Sequence, residues 1–415
     1  MPPSPEAHQD SPVPYDDYPF LFGDQELPVE YAERHAANLQ FARNLVAPEV
    51  EENDLSDLDR RSVETIARVL TATDHRLGAN TRGLGTMFNN DEDGPWVTQP
   101  TFYHNGDGTR TALLGTKEVM DYAIELDGDN SPYADRETYL KTLLAAAYDD
   151  LVFGKYGRGE DERQSAALAR AHLLQAGFDP DSVEDIIIAI EASIFDEKKF
   201  TQSYDPDRGA GFIQSGSLDG DLRDLGGRRS PMKTFMLLIE NMWKKDTAGK
   251  HGQRLRGEAL KEAVSQHGWQ ADSIEDFFAL IERYPHLKKE FGSEMANNEN
   301  FILLVHEYID PRLNEALLAA KQQSARLQRL LGTAIAKGDM TVSEAFHCAV
   351  SYAAVRPGYN RRGKPAALPP DLTPDEISQI LLAPEPIGKE KPVNAAAFFK
   401  RYKVERNIGG VAVKG

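Results

Sequence analysis

The chain has 415 residues, 40% of them hydrophobic, and a formal charge of −19 at neutral pH. That length allows more than one domain and a real core, and the acidic balance argues against a broad nucleic-acid surface or unassisted docking on anionic membranes. A single cysteine, Cys348, excludes an intrachain disulfide framework and a cysteine zinc cluster, and it points to a reducing compartment.

The first residues, MPPSPEAHQD, have neither the basic start nor the apolar stretch of a signal peptide, and no apolar run approaches a membrane span. A cytoplasmic location is therefore expected, although secretion without a cleaved signal would leave no mark here. Residues 1–30 are rich in Pro, Asp and Glu and read as an irregular arm. Two readings of it stand: its aromatics (Tyr15, Tyr18, Phe20, Phe22) pin it to the body, or it is a solvated terminus. Helical patterning begins near Val29. The stretch DLDRRSVETIARVLTATD then places Leu58, Val63, Ile66, Val69 and Leu70 on one helical face. The turn-rich segment GANTRGLGTMFNNDEDGPW follows, either a plain surface connection or a loop over a site.

From Leu113 to about Glu240 the pattern is helix after helix with short breaks. Gly177 reads as a helix C-cap, and Ser182 with Asp185 three residues on reads as the next helix start. GFDPDSVEDIIIAIE from Gly177 and GWQADSIEDFFALIE from Gly268 share Gly, Asp-Ser, Glu-Asp and Ile-Glu in register. Either an internal duplication or two hairpins with similar capping chemistry explains this. The segment DPRLNEALLAAKQQSARLQRLLGTAIAKG predicts one long amphipathic helix ending near Gly338. Thr341 with Glu344 predicts the start of the next, and Thr373-Pro374-Asp375-Glu376 the start of another. No segment alternates with a period of two, so the fold is expected to be all-α.

Several motifs then gather into one pattern. Phe102-Tyr103-His104-Asn105 precedes GTKEVMDYA. AAAYDDLVF (residues 145–153) follows, then Glu162 and Ser165 in ERQSAALA, the apolar helix VEDIIIAIEAS, and finally LDGDLRDLG (residues 218–226). In order and spacing, residues 102–226 resemble the HD superfamily of metal-dependent phosphohydrolases, in the branch with YHN upstream, AALFHDxVY in the centre and DADLxxLG at the end. The resemblance implies an HD-domain-like helical core with an additional C-terminal helical region. Residues 1–30 would be the arm, 31–240 the HD-like domain, 241–385 the C-terminal helices and 386–415 a basic-aromatic tail.

The family's chemistry uses neutral imidazoles with carboxylates around a transition metal, which acidifies a bound water. Matched residue by residue, the family's histidines fall here on Gly115, Asp149 and Ala192, whereas its acids are kept as Asp150 and Asp219, with Asp221 in the following motif position. The resemblance thus implies a pocket formed by His104, Asp149, Asp150, Glu162, Asp219 and Asp221. Asp149, Asp150 and Asp219 form a hard-cation set that suits Mg²⁺ or Mn²⁺, or else one acid keeps a packing role and another faces solvent. His104 is either a recruited ligand or a helix-start residue bonded to backbone. Arg228, Arg229 and Lys233 either hold a phosphate or are exposed charges.

Other motifs are weaker. His347 and Cys348 are adjacent on a helix and diverge by about 100°, so a small core cysteine fits better than a thiol–imidazole pair. His306, Glu307 and Asp310 lack the second histidine of a zincin helix. The DPDRGAG stretch (residues 205–211) lacks the terminal Glu of a calcium loop, and RGAGFIQSG lacks the Lys-Ser/Thr of a phosphate loop. In the tail, Phe398, Phe399 and Tyr402 interleave with Lys400, Arg401 and Lys403, as a partner-binding tail, a surface-seeking segment or a strap on the acidic body would.

The function implied is a divergent HD-type protein that has lost its metal-dependent activity and binds a small molecule or a protein without a cofactor. The alternatives are an active Mg²⁺- or Mn²⁺-dependent phosphohydrolase with an acid-rich site, and a structural interaction protein. Neither nucleic acid nor a membrane span is expected.

Overall fold

The computed structural model describes residues 18, 20–22, 29–77, 103–153, 159–196, 201–227, 229–247, 274–298 and 311–354. The turn-rich stretch at 78–96, Phe102, Arg228, His306, Glu307, Asp310, the opening residues 268–273 of the second hairpin repeat, the helix start at Thr373 and the basic-aromatic tail lie outside the described residues. The described part is all-α. Its helices in chain order are α1 (Val29–Val46), α2 (Asp57–Leu77), α3 (Gly106–Asp127), α4 (Arg136–Tyr148), α5 (Glu160–Gln175), α6 (Pro180–Ala192), α7 (Gly211–Gly226), α8 (Ser230–Thr247), α9 (Ile274–Arg283), α10 (Pro285–Asn297), α11 (Pro311–Lys337) and α12 (Val342–Ala354). The strands among the described residues are one antiparallel pair, β1 (Phe195–Asp196) and β2 (Thr201–Gln202). No described helix is long and apolar enough to cross a membrane.

Local chemistry sets most of the helix ends. Asn105 caps α3 by accepting from the Gly108 N–H, and Asp135 does the same for α4 through Thr138. Gly177 closes α5 with φ of 81°, so that its own N–H and that of Phe178 reach back to Leu174 and Leu173. Thr341 and Glu344 each bond the other's backbone N–H at the start of α12, the reciprocal capping arrangement. The start of α6 departs from expectation. Asp179, not Ser182, is the cap, accepting from the N–H groups of Asp181 and Ser182. Pro180 at the first helical position decides this, because its fixed φ suits that place and no N–H is needed there. The Ser182 hydroxyl instead donates to Glu137 of α4.

One core gathers α1 to α7 around α4. From Leu143 to Tyr148 every residue of α4 is buried, as expected of a helix that is apolar on all sides. A second core joins α8 to α12, with Phe235, Phe278, Phe291 and Phe346 packed ring against ring. Although α8 falls within the first unit by sequence, it lends Met232, Phe235, Met236 and Ile239 to this second core. Where α3 crosses α7 the backbones nearly touch: a Cβ at Gly115 would meet the Gly220 carbonyl oxygen at 2.4 Å. Only glycine allows that approach.

The arm is tied down where it is described. Tyr18 and Leu21 are each 1% exposed, and the Tyr18 hydroxyl donates to the Leu151 carbonyl at 3.1 Å. Phe20 packs against Tyr31 and His75, and Phe22 against His172. At these residues the anchored reading holds, because each ring removes a large apolar area from water. Tyr18→Phe is expected to lower stability by about 1 kcal/mol through the lost hydrogen bond. Tyr18→Ala should cost about 3–5 kcal/mol. Urea denaturation of the full chain measures both, and a neutral Tyr18→Ala would return the arm to the solvated reading.

A buried polar network joins α1, α2 and α3. Arg110 donates to Asp74 Oδ2 and Asn38 Oδ1 through one nitrogen and to Asp107 Oδ1 through another, and Asn38 also donates to Asp74. Burial pushes the Asp107 carboxyl up to about 7, with the Asp74 charge adding to the rise while Arg110 and Lys233 oppose it. A group whose folded pKa lies above its unfolded value binds its proton more tightly when folded. Stability should therefore decline as pH rises between about 4 and 7 and level off above, the full cost of ionisation being on the order of 4 kcal/mol. Asp107→Asn mimics the protonated form and should flatten that decline, gaining about 1–3 kcal/mol over the wild type at pH 8. Chemical denaturation across pH tests this, and an unchanged slope in the variant would reject it.

Candidate functional site

The buried helix α4 ends in the pair of acids. Asp149 occupies the C-cap of α4 and Asp150 follows it. A helix C-terminus carries partial negative charge, so the position disfavours carboxylates unless something offsets them. From the middle of α7, Asp221 joins the pair. One carboxylate oxygen from each of Asp149, Asp150 and Asp221 lies within 4.8 Å of the others. Two ionised groups at such a separation repel by about 3 kcal/mol at an effective dielectric near 20.

The electrostatics follow from that crowding. Burial holds Asp149 well above the usual carboxylate range, and the charges of Asp150, Asp221 and Glu162 add to the rise. The nearby Ser193 hydroxyl opposes it, although its hydrogen bond, at 2.8 Å, goes to the Ile190 carbonyl. Glu162, in the first turn of α5, is raised by burial and by the charges of Asp161 and Asp150. Its Oε2 is buried without a hydrogen-bond partner. The ends of α4 and α6, the start of α5 and the middle of α7 thus converge on one acidic centre. Its donors are all oxygens, the set that suits a small hard divalent cation, which would neutralise the repulsion and displace the Asp149 proton.

Of the residues singled out by sequence, Asp149, Asp150, Glu162 and Asp221 meet here. Asp219 is not in the close acid group. It is buried on α7, and its charge acts on Tyr204. Residues two apart on a helix point about 200° from each other, so Asp219 and Asp221 are not placed to serve one site together. Gly115 lies at the α3–α7 crossing, where Gly220 leaves no room for an imidazole. Ala192 is buried at the end of α6, immediately before Ser193. Ser193 was not anticipated, and its only signal was adjacency to the apolar helix.

His104 has both a side-chain and a backbone role. Its Nδ1 lies 2.6 Å from Glu240 Oε2, and its N–H donates to Glu240 Oε1 at 3.0 Å. Glu240 also accepts from the Tyr103 N–H, so this one carboxylate of α8 pins the segment entering α3. The His104 ring stacks on Phe153 at 3.8 Å between centroids. Glu240 lies more than 130 residues from His104, and no local pattern announced it.

The two described basic candidates are not exposed charges. Arg229 and Lys233 are both buried, and the Lys233 ammonium sits over the Tyr103 ring at 5.4 Å. Cys348 is buried and its thiol is pushed up to about 12 by burial, with the Glu344 charge adding, so it offers no thiolate at neutral pH. The neighbouring His347 is exposed. Asp205 spends its side chain on the Asp207 N–H in a short turn, which is turn chemistry and not a calcium loop.

Comparison with known proteins gives no matching family model, no matching curated protein and no matching solved structure, so the site's own geometry carries its chemistry.

Proposed function

We propose that this chain is a divergent HD-type protein that holds Mg²⁺ or Mn²⁺ at Asp149, Asp150 and Asp221 and hydrolyses a phosphate ester there. The observation that carries the reading is the meeting of those carboxylate oxygens within 4.8 Å at the C-terminus of a buried helix. Glu162, with a buried oxygen that lacks a hydrogen-bond partner, supports it from the fourth side. When bound, the cation supplies a Lewis acid for the phosphoryl oxygens and acidifies a water. The protein's own part is to orient the acids: α4 presents Asp149 and Asp150 from the end of a buried helix, with the Ser193 hydroxyl close to Asp149. An all-oxygen set holds borderline metals without selectivity, so no stoichiometric Fe, Zn or Ni is expected in the purified protein. The phosphate-ester substrate rests on the resemblance of residues 102–226 to the HD superfamily.

A second reading keeps the fold without the reaction. The elevated Asp149 carboxyl favours it, since a proton alone can relieve the repulsion. The chain would then be a pseudoenzyme whose pocket binds a small molecule or a protein. Calorimetric titration with Mn²⁺ and with Mg²⁺ separates the two readings. Binding of one equivalent at micromolar to millimolar concentration, lost in Asp150→Asn, supports the metal centre. No binding at physiological Mg²⁺, with no phosphate release above a blank, leaves the pseudoenzyme.

A further inference from the structure

We infer that His104 is a catalytic proton acceptor of the acid centre, held in place by Glu240; the inference rests on the hydrolase reading above. Three features of the imidazole lead to it. Its Nδ1 is engaged by the Glu240 carboxylate, which in the neutral ring fixes the N–H on that side and leaves the basic lone pair on Nε2. Among the described residues, Nε2 makes no hydrogen bond. The ring is also wedged between the chain segments that deliver the acids. One face stacks on Phe153 with an interplanar angle of 18°, and Phe153 follows Asp150 by three residues. On another side stands Tyr103, edge-on at 4.7 Å, which itself packs on Leu222 and Leu225, just beyond Asp221 in α7.

A helix-start histidine needs none of this. The backbone N–H groups of Tyr103 and His104 already satisfy one Glu240 oxygen, and the second oxygen is spent on orienting the ring. Charged groups of this corner include Glu240, buried and directly bonded, and Lys233, held over the Tyr103 ring. An imidazole that gains a proton at Nε2 becomes a cation already paired with Glu240, so the protein needs no rearrangement to receive it.

The step balances with water as the co-substrate. A water oxygen forms the new bond to phosphorus while its proton passes to His104 Nε2. The bond between phosphorus and the ester oxygen breaks, its electron pair staying on the leaving oxygen. The imidazolium then returns the proton to that oxygen, giving the alcohol and phosphate and restoring neutral His104. Glu240 is a positioning residue, because it acts only through the ring.

The test uses the full-length protein with Mn²⁺, a panel of nucleoside 5′-monophosphates with phosphate release as the readout, and the ring resonances of the histidines. His104→Gln should lower kcat by about a hundred- to ten-thousand-fold and leave Mn²⁺ affinity within about twofold. Measured with Mn²⁺ saturating the acids at every pH, its rate should lose the acidic limb of the pH profile, and Glu240→Gln should move that limb, which a purely structural role would not do. In the wild type, Mn²⁺ bound at the acids should broaden the His104 ring resonance, assigned by its disappearance in His104→Gln. An unaffected rate, a resonance that stays sharp with Mn²⁺ bound, or bound Mn²⁺ without hydrolysis would each overturn the inference. Loss of Mn²⁺ affinity in His104→Gln would also overturn it and make His104 a ligand. A wild type that binds no Mn²⁺ would remove the metal centre itself, and this inference with it.

Discussion

Gly115→His should fail to give a stably folded protein, with a loss of at least about 3 kcal/mol from overpacking and with aggregation on expression. The contact responsible is backbone, not a movable side chain. A Cβ at residue 115 would stand 2.4 Å from the Gly220 carbonyl oxygen, and a Cβ at Gly220 would stand 2.4 Å from the Thr116 Cα. Relieving either clash means separating α3 from α7, and that opens the first core at Leu113 and Met120. Gly115→Ala should show the same effect at about 2–3 kcal/mol, since one methyl already meets the obstacle. Gly211→Ala is the control: its added carbon meets Pro206 no closer than 3.4 Å and should change little. Urea denaturation of the variants decides the matter, and a stable Gly115→His would show that the crossing can open. Imidazoles placed together at residues 115, 149 and 192 would therefore not make a mixed-donor metal centre, because the first of them has no space.

Mn²⁺ or Mg²⁺ should stabilise the wild type, and acid should abolish the effect. A cation that binds only the folded chain adds about 2.7 kcal/mol at a hundred times its Kd. In a protein of this size that corresponds to a rise in Tm on the order of 5 °C. Without the cation the sign with pH is the reverse of the usual carboxylate case. Asp149 is held above its ordinary range in the folded state, so its contribution is fully present at low pH and is lost as pH rises through its folded value. Asp149→Asn keeps the neutral form at every pH. It should match or exceed the wild type in the absence of metal at pH 8, and it should show no rise in Tm with Mn²⁺. Differential scanning calorimetry with and without Mn²⁺ at pH 5 and pH 8 gives the comparison. A wild type indifferent to Mn²⁺ at pH 8, or an Asp149→Asn variant that responds as well as the wild type, would sink the metal centre.

The cases in which sequence and structure agree share a cause. Gly177 and Gly338 end helices, and Thr341 with Glu344 starts one, because these devices act within a few residues and depend on nothing distant. The face formed by Val63, Ile66, Val69 and Leu70 is equally local, since a period of 3.6 is written in the order of side chains. The start of α6 was misplaced at Ser182, because Asp179 three residues earlier has the same capping chemistry and Pro180 after it fixes the choice. Tyr18, Phe20 and Phe22 are anchored as one of the two readings had it, but composition alone could not say whether a surface waited for them.

The amino-acid sequence by itself determined that the described part of this protein is all-α, and it placed the helix ends at Gly177 and Gly338 and the helix start at Thr341. These are consequences of short-range periodicity and capping. Only the tertiary structure decided that Asp221 and not Asp219 completes the acidic group, that Glu240 holds His104, that the end of α6 brings Ser193 near Asp149 and that Gly115 is a packing residue. Each of those depends on the rotational phase of one helix against another. That phase is set by which side chains, or which bare glycines, meet at the crossing, and no stretch of sequence carries it alone.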